Sequence, residues 1–334
     1  MHPMLAMFRR NAWANERLLE FCGKQPPDIV TAVAGKDVYG GVDALLTHIV
    51  AAETGYLPLI TGERRSARMS DAKPLPLGEL LEPARWSAER WPGALDFDRD
   101  PEEVLRYQRG RDREWMTDWL PLVQCIHHGD DHRTQVATLL GRQGVETPEL
   151  DGWAFGEITE APDGSASDGS ATDRRSSVLR RCFGHHLWAT ELLLQRCTGL
   201  SPEQLALSTP GTYGSIGDTL DHLVSSDRSY LARLRGGTRQ PPLDAGGPGP
   251  LLEHLARQSE DWLSYLDTGP DFDAVILRRD GGQSPAWVVV MQAIHHGNDH
   301  RTHVGTVLLH HDLEVPELGA WEYGLAVGAL QVLG

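Results

Sequence analysis

Residues 125–156, CIHHGDDHRTQVATLLGRQGVETPELDGWAFG, align without a gap to residues 293–324, AIHHGNDHRTHVGTVLLHHDLEVPELGAWEYG. The two segments are identical at 17 of 32 positions, where about two identities are expected by chance at background residue usage. Earlier segments repeat in the same order: WANERLLEFC with WATELLLQRC, LLTHIVAAETGYL with TLDHLVSSDRSYL, and LLEPARWSAERW with LLEHLARQSEDW. The pattern predicts a tandem duplication of one domain.

The repeats also predict where the domains begin and end. The segment 159–174, TEAPDGSASDGSATDR, is rich in Ser, Asp, Gly and Ala and has no apolar periodicity, which is typical of a flexible linker. We expect one domain at residues 1–158, a linker at 159–174 and a second domain at 175–334. The length of 334 residues agrees with two domains, because single hydrophobic cores rarely grow so large.

Each repeat shows apolar residues at three- and four-residue spacing in four segments separated by Pro or Gly, which predicts four helices. VLRYQRGRDREW and AVILRRDGGQSPAW, before the fourth helices, predict a short β-hairpin or an irregular loop. PELDGWAFG and PELGAWEYG predict a short closing helix that begins at Pro. The expected fold class is all-α, with two tandem up-down-down-up four-helix bundles. The tail Leu325–Gly334 has no counterpart in the first repeat and carries no prediction.

Composition limits the classes of function. The formal net charge is −16, from 31 basic and 47 acidic residues, and such a field repels a polyanion such as DNA. No stretch approaches the roughly 20 apolar residues that span a bilayer, and the first residues lack a basic-then-apolar secretion pattern. The four cysteines show no CxxC spacing, which is typical of a reducing compartment. We expect a cytoplasmic protein that binds neither nucleic acid nor membrane.

Histidines carry the strongest chemical signal. The pattern H-x-x-x-H lies on the fourth helix of each repeat, and residues four apart share one helical face, so both imidazoles can reach one cation. A third ligand is expected from the second helix, because a bundle projects inward side chains of neighbouring helices to a common point. An isolated HxxxH is more often an ordinary histidine pair, but here all three positions are histidine in both repeats. The candidate ligands are His48, His128, His132, His222, His296 and His300.

The residues beside these histidines leave alternatives open. His127 and His295 also recur, and His127 could pair with Asp131 at four-residue spacing as a different ligand set, as His295 could with Asp299. The two aspartates could instead orient the ligand imidazoles as hydrogen-bond acceptors, or be solvated.

Two further pairs are candidates for the pocket. Arg133 and Arg301 could contact an anionic substrate, or they could form ion pairs on the bundle surface. Tyr56 and Tyr230 follow the second-helix histidines by eight positions and are candidate pocket residues.

The motifs L-x-H in the second helix and H-x-x-x-H-R-x-x-V in the fourth resemble the DinB-like, or YfiT-like, superfamily, and the resemblance covers nearly the whole chain twice. The opening Trp-Ala-Asn of that family is matched at residues 13–15 and only partly at residues 188–190. The family continues H-R-x-Q after the last ligand, as at Gln135, whereas the second repeat has His303. His185 and His186 of the second repeat are candidate pocket or packing residues. The resemblance implies that each domain holds one divalent metal ion through the helix-two histidine and both helix-four histidines.

Three neutral imidazoles leave the charge of a metal ion uncancelled and a coordination position open, which is typical of a catalytic site. Zinc or nickel is expected, and manganese or iron less so because no carboxylate ligand is evident. The resemblance implies a transferase that uses a low-molecular-weight thiol such as bacillithiol or mycothiol. Our first interpretation is a metal-dependent thiol S-transferase in detoxification or stress response, in which a metal-bound thiolate attacks a small electrophile.

No catalytic side chain is expected beyond the metal centre. Cys125 lies three residues before His128, but Ala293 replaces it in the second repeat, so a shared mechanism cannot use it. The alternatives are a hydrolase that uses a bound hydroxide and a non-catalytic metal-binding or interaction protein. We expect the two domains to form an intramolecular pseudo-dimer, so that the chain is monomeric.

Overall fold

The computed structural model describes residues 1–32, 40–65, 69–71, 73–109, 112–159, 169–278 and 281–333. Helices dominate these residues, and the strands among them are short. The prediction of an all-α fold is confirmed.

The first half contains one helical bundle with a hairpin inserted before its last long helix. The elements are α1 (Pro3–Cys22), α2 (Pro27–Thr31), α3 (Val42–Thr61), α4 (Leu77–Ala94), β1 (Val104–Arg109), β2 (Asp112–Thr117), α5 (Trp119–Arg142) and α6 (Gly152–Ile158). Helices α1 and α3 each pack against both α4 and α5. Helix α3 ends where Gly62 adopts a left-handed conformation with φ of 74°, which glycine reaches without a steric penalty.

The second half repeats this order of elements. They are α7 (Gly169–Cys197), α8 (Pro202–Leu205), α9 (Ile216–Leu234), α10 (Pro248–Asp267), β3 (Val275–Leu277), β4 (Gln283–Pro285), α11 (Ala286–His310), α12 (Ala320–Ala326) and β5 (Leu330–Leu333). Helices α7 and α9 each pack against α10 and α11, as in the first half. Ser215 caps α9, since its hydroxyl accepts a hydrogen bond from the Asp218 amide at 3.1 Å.

The segment before each fourth helix is an antiparallel hairpin, so the hairpin prediction holds over the irregular loop. In the first half Val104 pairs with Thr117, and in the second Val275 pairs with Pro285. The tail, which carried no prediction, is partly a strand. Strand β5 adds antiparallel to β2 of the first half and makes a three-stranded sheet.

Two boundaries differ from the sequence predictions. Residues 160–168 of the predicted linker lie outside the described residues, but the chain is helical from Gly169, within the predicted linker. Arg174 fixes this helical start, because its guanidinium pairs with the buried Asp118 and donates to the Arg99 carbonyl at 2.7 Å. Both closing helices begin after the predicted prolines, at Gly152 and at Ala320. In the first, the Asp151 side chain caps the helix by accepting from the Ala154 amide at 2.8 Å.

The two halves pack closely against each other. Helix α5 lies against α11, and each closing helix crosses to the other half, with α6 on α11 and α12 on α5. One apolar cluster runs through both halves and includes Phe8, Trp119, Phe183 and Trp287. Equivalent hydrogen bonds hold each closing helix against the other half. The Gly152 amide donates to Gln292 Oε1 at 2.7 Å, and the Ala320 amide donates to Gln124 Oε1 at 3.2 Å.

The prediction that no stretch is apolar enough to span a bilayer is wrong for helix α3, which is long and apolar enough by length and composition alone. Half of its apolar window is buried, and its inward residues, such as Leu46 and Ile49, belong to the bundle core. These features agree with a core helix of a soluble protein. The cytoplasmic location stays a prediction.

Candidate metal centres

The first group of histidines forms where α3 and α5 meet. The Nε2 atoms of His48 and His128 are 3.0 Å apart, and His132 lies one turn further along α5. Ligand nitrogens of these three side chains lie within 4.8 Å of one another. Two neutral imidazoles share at most one proton across such a contact, so at least one nitrogen presents a lone pair to the other. That arrangement suits a shared cation.

The second group has the same geometry between α9 and α11. The Nε2 atoms of His222 and His296 are 3.0 Å apart, and ligand nitrogens of these two residues and His300 lie within 4.8 Å of one another. Within the described part of the chain, buried Nδ1 atoms of His128, His296 and His300 have no hydrogen-bond partner. Because a buried polar atom without a partner is costly, these nitrogens agree with a ring that serves a ligand role.

Burial keeps the helix-four imidazoles neutral, which is the form that ligates a metal. Burial and the adjacent His132 and His48 lower the pKa of His128 well below its ordinary value. Burial and the adjacent His300 and His222 do the same to the pKa of His296, and burial lowers the pKa of His300 to about 3. The donor set could therefore hold a divalent cation in each half at neutral pH.

The hydrogen-bond partner of the His132 imidazole differs from the aspartate that the sequence predicted. Gln135 Oε1, not Asp131, lies 2.9 Å from His132 Nδ1, and Gln135 Nε2 donates to Asp131 Oδ2 at 3.0 Å. Asp131 accepts a hydrogen bond from the Thr302 hydroxyl of the other half. The two aspartates thus tie the halves together rather than orienting the imidazoles directly.

Asp299 makes the equivalent contact in the opposite direction, because it accepts from the Thr134 hydroxyl at 2.7 Å. Its nearest imidazole contact is His303, whose Nδ1 lies 3.8 Å from the carboxylate. That distance exceeds a hydrogen bond. His303 therefore does not reproduce the relay that Gln135 makes in the first half.

The arginines predicted to meet an anionic substrate are instead buried inside the bundles. Arg133 donates to Asn11 Oδ1 and Asn15 Oδ1 at 2.7 Å each and pairs with Asp130 at 2.7 Å. Arg133 is 4% exposed, so a substrate from solvent cannot reach it. The same two asparagines donate to the buried Glu53 at 2.7 Å each.

Arg301 occupies the same place in the second half with different partners. It donates to Thr190 Oγ1 at 2.9 Å and to Asn298 Oδ1 at 2.6 Å, and it lies 3.1 Å from His186 Nδ1. His186 Nε2 in turn lies 2.6 Å from Asp227 Oδ2. Neither arginine forms the predicted surface ion pairs, because both side chains are buried and sequence position does not reveal which face a helical arginine turns inward. Arg301 also lines a cavity of about 560 Å³ together with His128 and His132, so its contact with a substrate stays a prediction.

The alternative ligand set of His127 with Asp131 is not formed. His127 Nδ1 lies 3.2 Å from Asn298 Oδ1 of the other half, and its ring contacts His185. His295 Nδ1 likewise lies 3.2 Å from Asp130. Both residues serve the contact between the halves, and His185 is a buried packing residue whose Nε2 lies 2.8 Å from the Leu318 carbonyl.

Aromatic residues complete each centre from both halves. The Tyr56 ring contacts His128, with ring centroids 5.8 Å apart, and also Trp321 of the other half, at 5.7 Å. The Tyr230 ring contacts His296 at 5.6 Å and Trp153 of the other half at 6.1 Å. Each closing helix therefore supplies a tryptophan to the surroundings of the opposite centre.

Tyr213 is a site residue that the sequence analysis missed. Its ring stacks on His222 with centroids 4.5 Å apart and contacts the His300 ring at 4.6 Å. A signal was available, because a Tyr-Gly pair lies nine residues before the second-helix histidine in both repeats. The first of these tyrosines, Tyr39, lies outside the described residues.

Both centres border cavities between the halves. A cavity of about 1130 Å³ is lined by His222, Tyr213 and Tyr230 of the second half and by Trp153 and Glu157 of α6. A cavity of about 560 Å³ lies between α5 and α11 and is lined by residues of both helices, including His128, His132, Gln135 and Thr302. A small molecule bound in either cavity would contact both halves.

The fold and the two histidine groups define a tandem helical-bundle protein with two centres that could each hold a metal ion. The DinB family model matches residues 1–165, and the DinB superfamily model matches residues 185–304. The chain belongs to the DinB superfamily and carries two tandem domains of it. No curated protein matches the chain at a significant level.

Proposed function

We propose that each domain binds one divalent cation, zinc or nickel, through its three histidines, and that the protein is a metal-dependent thiol S-transferase. The observation that carries the proposal is the pair of three-imidazole groups, each with an Nε2 to Nε2 distance of 3.0 Å. An imidazole-only donor set leaves the charge of the ion uncancelled. A cation held there would lower the pKa of a thiol or a water molecule that reaches it.

The larger cavity supports a small-molecule substrate at the second centre. Its lining includes Arg233 and Arg239, cationic groups suited to the carboxylates of low-molecular-weight thiols, and Ser225 and Ser229, which can donate hydrogen bonds. Its described lining contains no cysteine. A nucleophile for transfer would therefore come from a cosubstrate, and the protein residues would bind and orient it.

Metal binding is tested first, with variants that remove one ligand from one centre. His128→Ala should remove the ion of the first domain and His296→Ala that of the second, as measured by elemental analysis after gel filtration. His254→Ala, at a histidine of α10 away from both centres, is the matched control and should keep the full metal content. Unchanged metal content in the His128→Ala/His296→Ala double variant would refute the ligand assignment.

Activity is tested on the metal-loaded chain with bacillithiol, mycothiol, glutathione and coenzyme A and a chromogenic electrophile. We expect thiol-dependent turnover that is lost on chelation and in the double variant. Ester hydrolysis without any thiol would reject the transferase in favour of a hydrolase. Retained metal without turnover on either substrate class would favour a binding protein.

The assembly proposal is a monomeric chain in which the second domain takes the place of a dimer partner. The hydrogen bonds from Thr302 to Asp131 and from Thr134 to Asp299, which cross between the domains, support this arrangement. The apolar cluster shared by both domains supports it as well.

A further inference from the structure

The second domain holds a further group of potential ligands next to its histidine centre. His303 lies one turn after His300 on α11, and their ring centroids are 5.7 Å apart. Nitrogens of these two rings and a carboxylate oxygen of Asp299 lie within 4.8 Å of one another. Among the described residues, His300 Nδ1 and His303 Nδ1 are buried and have no hydrogen-bond partner.

The first domain shows how the same positions are satisfied when a glutamine replaces the histidine. Gln135 has both a carbonyl oxygen and an amide nitrogen, so it bonds to His132 Nδ1 at 2.9 Å and donates to Asp131 at 3.0 Å. The His303 imidazole does not bridge the equivalent histidine and aspartate in the second domain. In the second domain His303 Nδ1 is 3.8 Å from Asp299 Oδ2, which is too far for a hydrogen bond. The hydrogen bonds that link histidine, glutamine and aspartate in the first domain are therefore not reproduced.

Two imidazole nitrogens and one carboxylate oxygen are a donor set that first-row divalent ions accept. The negative charge of Asp299 offsets part of the charge of such an ion, which the all-imidazole centre does not do. His303 is partly exposed, and this leaves a route for a cation from solvent.

We propose that Asp299, His300 and His303 form an additional divalent-cation site, so that the second domain holds two neighbouring ions and the first domain one. His300 belongs to both groups and offers one ring nitrogen to each ion. Ligation of its second nitrogen releases the imidazole proton to solvent. This inference depends on the proposed histidine centre of the second domain only because the two sites share His300.

The test exchanges the two residues that distinguish the domains. Cobalt(II) is titrated into metal-free full-length protein, and the bound ions are counted by calorimetry and elemental analysis. We expect three ions in the wild type, two in His303→Gln and four in Gln135→His. Paramagnetic resonance of the copper(II)-loaded protein should show magnetic coupling between neighbouring ions in the wild type that disappears in His303→Gln.

The outcomes separate this site from the two centres already proposed. Two ions in both the wild type and His303→Gln would overturn the additional site. That result would mean that a water molecule, and not a cation, bonds to His303 and Asp299. Loss of one ion in His303→Gln, with no loss in His128→Ala, would support the additional site and refute the histidine centre of the first domain. Circular dichroism of each variant confirms that it is folded before its ions are counted.

Discussion

The two histidine centres share their ligand geometry and their aromatic neighbours and differ in the polar residues beside and beneath the ligands. In both, the helix-two and helix-four Nε2 atoms are 3.0 Å apart, and a tyrosine ring lies on the helix-four histidine. Three residues after the last ligand, the first domain has Gln135 and the second has His303. The Tyr213 ring stacks on His222 of the second centre, and the equivalent Tyr39 of the first repeat lies outside the described residues.

The networks of buried polar side chains next to the two centres also differ in charge. In the first domain the buried Arg133 and Arg10 of α1 both pair with Asp130 of α5, and Arg133 lies near Glu53 of α3, so charged groups hold α1, α3 and α5 together. In the second domain Arg301 faces the neutral Thr190 and Asn298. The comparison teaches that helix packing determines the ligand geometry, because two different polar networks support the same arrangement.

Removal of the buried arginine should show the largest difference between the domains. Although burial alone would raise it, Arg10, His295 and Arg133 hold the pKa of Asp130 well below its ordinary value, so Asp130 is ionised. Arg133→Met removes a cation from buried carboxylates and should lower the free energy of unfolding by about 3–5 kcal/mol. Arg301→Met leaves neutral groups as the direct partners, and the nearby Asp227 keeps its contact with His186, so the change should cost about 1–3 kcal/mol.

Urea unfolding of the metal-free variants, followed by circular dichroism, measures both values. Equal losses, or a larger loss in Arg301→Met, would mean that the charge of the network does not determine its contribution. Asp130→Asn makes the first network resemble the second, which has Asn298 there. In that background the cost of Arg133→Met should fall toward the Arg301→Met value.

The repeat in the sequence was sufficient for the fold and for the grouping of the histidines. Helical spacing places His128 and His132 on one face, and the alignment with the second repeat identifies His48 and His222 as their candidate partners. Bundle packing then brings these residues together without any further information. This part of the centre depends on local periodicity, which a sequence carries directly.

The partners of Asp131, Asp299 and Arg133 could not be predicted, because they depend on how the bundles pack. Asp131 and Asp299 bond to threonines of the opposite domain, and a contact between domains leaves no periodic signal in either repeat. Whether Arg133 faces solvent or the interior depends on the rotation of α5 against α1. The strand in the tail could not be predicted for the same reason, since β5 pairs with a strand more than 200 residues earlier.

A smaller difference is expected in how stability depends on pH. Arg10 Nε donates to the Leu150 carbonyl at 2.8 Å, and His185 Nε2 makes the equivalent contact with the Leu318 carbonyl at 2.8 Å. Burial, and then the neighbouring His127, lowers the pKa of His185 well below its ordinary value. The unfolded chain takes up this proton below about pH 6.5 while the folded chain does not, so the stability is present above that pH and is lost as the pH falls.

The metal-free wild type should therefore lose about 1.4 kcal/mol more than His185→Gln between pH 7.5 and pH 5.5, on one pKa unit of linkage below 6.5. Denaturant unfolding at the two pH values measures the difference. Arg196→Gln is the control, because Arg196 of the same helix also donates to a backbone carbonyl, that of Glu314 at 3.1 Å. An arginine stays charged throughout this range, so its removal should leave the pH-dependent loss unchanged. A pH-dependent loss in His185→Gln as large as in the wild type would contradict the assignment to His185.

The smallest expected effect tests whether each domain helps to build the centre of the other. Trp153 belongs to the first domain and contacts Tyr230, which lies on His296, so Trp153→Leu should loosen the second centre. Outer contacts of metal ligands change affinity by about tenfold or more when they are lost, and an indirect aromatic contact should lie at the low end of that range. In a His128→Ala background, which reports the second domain, Trp153→Leu should therefore raise the cobalt dissociation constant by up to about tenfold, whereas Trp321→Leu should leave it unchanged. In a His296→Ala background the two tryptophan variants should exchange their effects. If each tryptophan instead affected the centre of its own domain, the crossing of α6 and α12 would have no part in metal binding.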